Sequence, residues 1–541
     1  MVTRREFLKK SIQGAAACSA FSYFSFCDKT IKQPNVLFII CDDLNDMVEN
    51  MGGHPKAITP NINRLMDRGV SFMNAHCNSP LCSPSRASLL SGLYPHTSGF
   101  YCIRNDEGDH PNWYDNAILK DSQTIMQHFK ANGYHVMGTG KIFHNHEEKL
   151  DHFHEFGHMP SWGPWPWDGK EEGQGWGAAS SYPGNYGSFS IDANYAKLGD
   201  VPHIKPDPET GAPGYKGWRL YGEPFKYNGP NDRDLMPDEL NARWAGKKLQ
   251  EKHNKPFLMM VGMNRPHVPL FAPNKYFDMY PLDKIPLTKI KENDLDDIFP
   301  EGKDVYRSNT TTWGFMKYDR LTKENRKAAL REWTRAYLAN VSFVDDQVGK
   351  VLDALEDSQY ADNTLIIFTS DHGYGLGEKE WLFKNSVWAE STRIPFVAAG
   401  PKVKKNKQCN KPISLIDLYP TLIDYCNLPM EPNKNTNGYK LDGNSIVNWF
   451  QNPKTAKVDE DDYALTTVGG LNQTEDIEIK RKESHYTLKT KRYRYTRYGF
   501  ENEELYDHKN DPNEWHNLIN DPKYRKVKKR LRKKLNSILS K

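Results

Sequence analysis

The stretch Asn35-Val36-Leu37-Phe38-Ile39-Ile40 is apolar throughout after its first residue, with no polar alternation. A strand without a polar face is one covered on both sides, as in the middle of a parallel sheet. Similar runs return at 134–139, 257–261, 364–369 and 395–399. Helical patterns fall between them. One opens with Thr59 as N-cap and Pro60 in the first turn, and stops at Gly69. Another covers about 122–132 and stops at Gly133. A long one covers 323–357, where Leu330, Trp333, Tyr337, Val341, Val344, Val348, Leu352 and Leu355 recur near the ~3.6-residue period. Strands alternating with helices predict an α/β sandwich around a large, mostly parallel sheet. Such sheets carry their ligands at the carboxyl ends of the strands.

The pattern breaks between 160 and 230, where Gly, Pro, Trp and Tyr dominate, as in Ser161-Trp162-Gly163-Pro164-Trp165-Pro166-Trp167. A long irregular insertion of this kind is either a substrate rim with aromatic platforms or a segment packed on itself. A Lys-rich linker follows Gly400, and a helix around 416–426 still belongs to the large domain. From Gly438 a smaller α+β region is expected, with one strand-like segment over 486–498. The chain closes on a basic helix whose Val527, Leu531, Leu535 and Ile538 share one face, the other being almost all Lys and Arg. That second face is either solvated or drawn to a polyanion. The domains are thus 31–437 and 438–541.

Residues 1–30 stand apart. Thr3-Arg4-Arg5-Glu6-Phe7-Leu8-Lys9 and the apolar stretch after it match a twin-arginine export signal. The stretch is too short to span a membrane comfortably. The reading places the mature protein in the periplasm or outside a bacterial cell, with the twin-arginine machinery as a partner. Cys27 is the alternative, a lipid attachment point, but a bulky Phe26 precedes it where a small residue is expected.

Composition changes little: 38% hydrophobic and 26% charged residues are ordinary for a globular chain, and a net charge of +4 provides no field that selects a partner. No nucleic-acid-binding motif is present. The eight cysteines form no C-x-x-C pair or regular framework, so neither a zinc ribbon nor a disulfide scaffold is indicated; Cys409 with Cys426 is the pair that could bridge.

The chemistry sits at the strand ends. Asp42 and Asp43 follow the first buried run, and Asp371 and His372 follow the run at 364–369. Hard carboxylate oxygens in such positions suit calcium, with magnesium less favoured, and the softer imidazole of His372 leaves the ion's identity more open. Lys141 and His144 lie in Gly140-Lys141-Ile142-Phe143-His144, His267 in Asn264-Arg265-Pro266-His267, and Lys384 in Trp381-Leu382-Phe383-Lys384. This is a concentration of cations fit for an anionic substrate. Cys82 and Arg86, four residues apart, would share a helix face.

Cys82-Ser83-Pro84-Ser85-Arg86-Ala87-Ser88-Leu89-Leu90-Ser91-Gly92 resembles the type I, formylglycine-dependent sulfatase signature C-x-P-S-R-x-x-x-L-[TS]-G at every defined position. The resemblance extends over nearly the whole mature chain. It is strongest to the iduronate-2-sulfatase branch, through Gly140-Lys141-Ile142-Phe143-His144, Arg265-Pro266-His267-Val268-Pro269 and Ser370-Asp371-His372-Gly373. It implies an alkaline-phosphatase-like fold with a smaller C-terminal α+β subdomain. It further implies a formylglycine (3-oxoalanine) made from Cys82 by a formylglycine-generating maturation enzyme. One hydroxyl of the hydrated aldehyde would attack sulfur in line, and the other would lose its proton to re-form the aldehyde and release sulfate. Cys82, Asp42, Asp43, Asp371 and His372 would hold the metal. Arg86 and His144 would hold the hydrate, and Lys141, His267 and Lys384 would meet the sulfate. Lys384 and His267 are both open as the general acid. The implied substrate is a sulfated sugar, of a glycosaminoglycan or algal polysaccharide, with a sulfated uronic acid among the options. A phosphonate monoester or phosphodiester hydrolase of the same superfamily, a choline-sulfatase and a catalytically silent glycan binder are the rival readings.

Overall fold

The computed structural model describes residues 33–101, 112–144, 150–167, 195–200, 216–298, 313–322, 325–454, 462–470 and 476–540. The signal at 1–30 and much of the aromatic insertion lie outside these residues. Among them no helix is long and apolar enough to cross a membrane.

Eight strands make the main sheet: β1 (Asn35–Asp42), β2 (Gly69–Phe72), β3 (His135–Gly140), β4 (Glu155–Phe156), β5 (Phe257–Pro266), β6 (Thr364–Ser370), β7 (Phe396–Ala399) and β8 (Lys407–Cys409), in the order β8-β2-β7-β6-β1-β5-β3-β4. The strands β6, β1, β5, β3 and β4 run parallel to one another; β7 is antiparallel to both its neighbours. The sheet is therefore mostly parallel, as expected. Side chains of β1 divide by parity. Leu37, Ile39 and Cys41 enter one apolar cluster, and Val36, Phe38 and Ile40 enter the other. Period 2 on a two-sided core explains the unbroken apolar run.

Helices α1 (Pro60–Asp67), α4 (Pro237–Gln250) and α5 (Arg326–Glu356) cover the first face; α2 (Cys82–Ser91), α3 (Ile125–Ala131) and α6 (Leu418–Tyr425) cover the second. All eight residues of the predicted stripe on α5 are buried in the first cluster. Thr59 does not cap α1 with its side chain; its Oγ1 accepts from Glu49 N at 3.0 Å. Asp345 of α5 does the capping, its carboxylate accepting from Asn61 N at 3.1 Å and Ile62 N at 2.8 Å. A full carboxylate is the stronger acceptor for the open N–H groups of a helix start. Cys409 and Cys426 are free, buried thiols. Burial raises both, Cys426 to about 12.

At the C-terminal end, β9 (Ala464–Val468), β10 (His485–Lys489), β11 (Tyr493–Arg497) and β12 (Glu503–Asp507) form an antiparallel sheet in that order. Helix α7 (Arg525–Leu539) packs on it through Leu531, Leu535 and Ile538. The expected single strand over 486–498 is a hairpin. Thr490 closes it, accepting from Tyr493 N at 2.9 Å through Oγ1 and donating from its own N to Tyr493 O at 2.8 Å. With no Gly or Pro to mark it, that turn is hidden in a run of strand-forming residues.

His96 lies where this sheet meets the large core, stacked on Tyr94 with ring centroids 5.2 Å apart and edge-on to Tyr486 at 6.2 Å. Burial, then the Arg481 charge, pull its imidazole from 6.5 down to about 3. The unfolded chain takes up this proton near 6.5 and the folded chain only near 3, so unfolding gains a proton within that window. Stability present above pH 6.5 is therefore lost as pH falls through it. Unfolding free energies from urea titrations at neutral pH and again two units below the usual histidine value should differ for the wild type by about 2–3 kcal/mol more than for His96→Asn. An equal loss in both proteins would mean that His96 is protonated in the fold.

Candidate active site

Register brings the predicted residues to one level. Cys41 stands opposite Ser370 and Asp42 opposite Pro266, so Asp43, Asp371 and His267 all leave their strands on the same edge. Gly262 of β5 pairs with Gly140 of β3. Gly140 has φ +72°, and a Cβ there would stand 2.0 Å from Gly262 O. A Cβ on Gly262 would stand 2.2 Å from the Lys141 carbonyl. Two glycines thus let the chain cross closely over β5 and turn Lys141 into the site.

Cys82 is the first residue of α2. Its Sγ lies 3.0 Å from Lys384 Nζ, 3.2 Å from His372 Nε2 and 3.5 Å from Asp42 Oδ1. Burial alone would raise the thiol, but Lys141, Lys384 and His372 outweigh it and hold the thiol well below its usual range. Lys141 Nζ donates to Asp42 Oδ2. Burial and Cys82 work against the Asp42 carboxylate, yet Lys141, His267 and Lys384 hold it far below the usual carboxylate value. Lys384 Nζ also donates to Asp43 Oδ1 at 2.8 Å; against burial, Asp43, Cys82 and Asp42 raise its pKa strongly. His144 is pulled down to about 4, chiefly by burial, and is neutral.

Arg86 is buried on the same helix. Its Nε donates to Asp371 Oδ2 at 2.8 Å and its Nη1 to the carbonyls of Lys141 and Ile142. Asp371 Oδ1 accepts from His372 N at 2.9 Å and Asp43 N at 3.3 Å. His267 Nδ1 donates to Val268 O at 2.5 Å, which directs Nε2 toward Asp43 Oδ2, 3.9 Å away.

The structure therefore brings together all ten predicted residues: Asp42, Asp43, Cys82, Arg86, Lys141, His144, His267, Asp371, His372 and Lys384. The donor atoms of Asp42, Asp43, Cys82 and His372 lie within 4.8 Å of one another, all buried. Asp371 stands at the edge of this group, its Oδ2 taken by Arg86. Asp43 Oδ2 is buried and accepts no hydrogen bond. Burial first, then Asp42, lift Asp371 above the usual carboxylate range despite Arg86, and Asp371 and Cys82 lift His372 to about 9 against burial. Crowded carboxylates with an unused oxygen fit a divalent cation, which would relieve that repulsion.

Sequence reasoning passed over the residues that aim this set. Tyr337, read only as core, donates from its OH to Asp43 O at 2.6 Å and accepts there from Asn45 N at 3.1 Å, fixing a loop in which Asp43 has φ +65°. Asp238 accepts from the backbones of Asn264 and Arg265 at 2.7 and 2.9 Å. Ser85 Oγ donates to Asp371 O at 2.6 Å. Nothing local marks Tyr337 or Asp238, whose partners lie 294 and 26 residues away in the chain.

A family model described as Sulfatase matches residues 34–428, and one described as N-sulphoglucosamine sulphohydrolase, C-terminal, matches 377–541. A sulfatase of Formosa agariphila is 34% identical over 508 residues, 92% of this chain and 85% of its own. Human iduronate 2-sulfatase is 26% identical over 94% of this chain and 95% of its own. Among solved structures, a 2-O GAG sulfatase aligns with a TM-score of 0.63 at 22% identity, covering 94% of this chain and 92% of its own. The phosphonate monoester hydrolase of Agrobacterium radiobacter aligns with a TM-score of 0.66 at 18% identity, covering 94% and 95%.

Thermal melts of chelator-stripped protein should rise by about 2–5 °C on adding a saturating divalent cation. Asp43→Asn should lose most of that response. A variant that responds like wild type would place the ion elsewhere.

Proposed function

The chain belongs to the sulfatase family, with the alkaline-phosphatase-like fold and the sulfuric ester hydrolysis of that family, and from that premise we propose that it removes sulfate from sulfated carbohydrate with a formylglycine made from Cys82. The observation that carries this reading is the convergence of Lys141, His372 and Lys384 on the buried Cys82 Sγ beside three carboxylates. One relative is named for iduronate and one matching family model for sulphated glucosamine, and one structural neighbour is named for glycosaminoglycan. A sulfated sugar of a glycosaminoglycan or algal polysaccharide is the substrate class that follows.

Asp42, Asp43, Asp371, His372 and the residue-82 side chain would hold the ion, which we take to be calcium; when bound, it would offset charge on the sulfate oxygens and on the nucleophile. The matured residue presents oxygen in place of sulfur, which suits a hard cation. As a hydrated aldehyde it supplies one hydroxyl to attack sulfur and a second whose deprotonation restores the aldehyde. Arg86, tied to Asp371 and to the backbone at Lys141, fixes the helix start that carries residue 82. Neutral His144 accepts the hydroxyl proton. Lys141 and Lys384 bind the sulfate oxygens. Locked on Asp43 with its pKa raised, Lys384 keeps its proton; His267, with Nε2 turned into the site, then protonates the departing oxygen.

The Arg4-Arg5 segment underlies a further part of the proposal, that the folded protein is exported by the twin-arginine route to the periplasm or beyond.

Protein co-expressed with a formylglycine-generating enzyme should release sulfate from sulfated uronic-acid or hexosamine oligosaccharides, and Cys82→Ala should lower release by about 10³-fold or more. Formylglycine proved by mass spectrometry, with turnover of phosphonate monoesters and of no sulfate ester, would overturn the reading. Loss of the His267 proton should matter most for poor leaving groups. His267→Gln should lower kcat about 10²-fold on a sulfated sugar and far less on 4-nitrophenyl sulfate. Equal losses on both would return the acid role to Lys384.

A further inference from the structure

Trp162 begins the described aromatic stretch and is half-buried between two buried neighbours, Ser161 and Gly163. The Lys141 ammonium stands 4.9 Å from its ring centroid, and the His267 ring lies 6.1 Å away at an angle of 54°. The indole thus borders the two groups to which the proposed function assigns the sulfate and the departing oxygen.

Its position is built in. Arg265, 1% exposed, donates from Nη2 to the carbonyls of Trp162 and Gly163 at 2.9 and 3.2 Å, from Nη1 to His267 O at 3.2 Å and from Nε to Phe271 O at 3.3 Å. Asp238 holds the backbone N–H of Arg265 at 2.9 Å. A buried guanidinium that binds only carbonyls is costly to desolvate and confers order in return. Here it joins the backbones of Trp162 and His267 into one rigid unit. The sheet formed by Trp165–Trp167, Gly217–Leu220 and Glu223–Phe225 anchors the chain just beyond.

We propose that Trp162 is the wall of a ring-binding subsite next to the sulfate site, where the C–H face of a pyranose or aryl ring carrying the ester stacks on the indole, and that Arg265 is the residue that positions it. The proposal rests on the sulfatase reading above. The ring of such an ester begins one bond beyond the oxygen that His267 faces, so it falls beside the indole. An acyclic ester or bare sulfate has no apolar face to place there. Aromatic walls with a few convergent polar groups are the usual make-up of such pockets.

Calorimetry on a Cys82→Ala background, free of turnover and of maturation, tests this. The ligands are a sulfated monosaccharide and inorganic sulfate. Trp162→Ala should weaken the sulfated sugar about tenfold or more and leave inorganic sulfate within about twofold, while Trp162→Phe stays within about threefold on both. Sugar affinity unchanged by Trp162→Ala would overturn the subsite, as would an equal loss for both ligands, since Trp162 would then only shape Lys141. Failure of the parent reading looks different. Cys82→Ala protein with native Trp162 would then bind neither sulfate ligand but would bind phosphonate esters, and the same variants compared on phenyl and methyl phosphonate would decide the subsite.

Discussion

Arg86 and Asp371 form an ion pair 2.8 Å long with side chains 1% and 0% exposed, and the site is assembled around it. The pair joins the helix that begins with Cys82 to the end of strand β6. Through Nη1 the same guanidinium reaches the carbonyls of Lys141 and Ile142, after β3. One side chain therefore sets the distance between Cys82, Asp371 and Lys141. Removing either partner would leave a lone charge in a dry pocket, which is far costlier than the pair is stabilising.

The rest of the pocket follows the same constraint. Asp42, Asp43 and Asp371 face Lys141, Lys384 and Arg86, all of them buried. In water these charges would be worth little to one another; with water excluded, each sets the state of the next. That is why the Cys82 thiol is lowered and Lys384 keeps its proton, and why Asp371 and His372 are both displaced from their usual values. A site prepared in this way meets an anion without reorganising, the main electrostatic means by which enzymes lower barriers.

The sheet supplies the geometry. Strands β6, β1, β5 and β3 are adjacent and parallel, with a register shift between β1 and β5 at Ile40–Asp42 that sets Asp42 opposite Pro266, so their ends deliver Asp371, Asp42, His267 and Lys141 side by side. The outer parts answer to the same edge: Tyr337 reaches up from the long helix to fix Asp43, and Arg265 straps the aromatic wall to His267.

What the sequence determined by itself was the set of chemical groups and their placement at strand ends. An unbroken apolar run followed by Asp-Asp or Asp-His marks a buried strand and its exit, because burial on two faces and a two-residue period are local properties of the chain. The signature from Cys82 to Gly92 was equally legible, since its positions are neighbours on one helix. Other features depend on residues far apart in the chain. The capping of α1 by Asp345, the turn at Thr490, the free thiols of Cys409 and Cys426, and the straps from Tyr337, Asp238 and Arg265 had no local signal. Charge states belong to this second group as well. Whether Lys384 holds its proton or His144 is neutral depends on burial and on charges a few ångströms away, which exist only once the chain has folded.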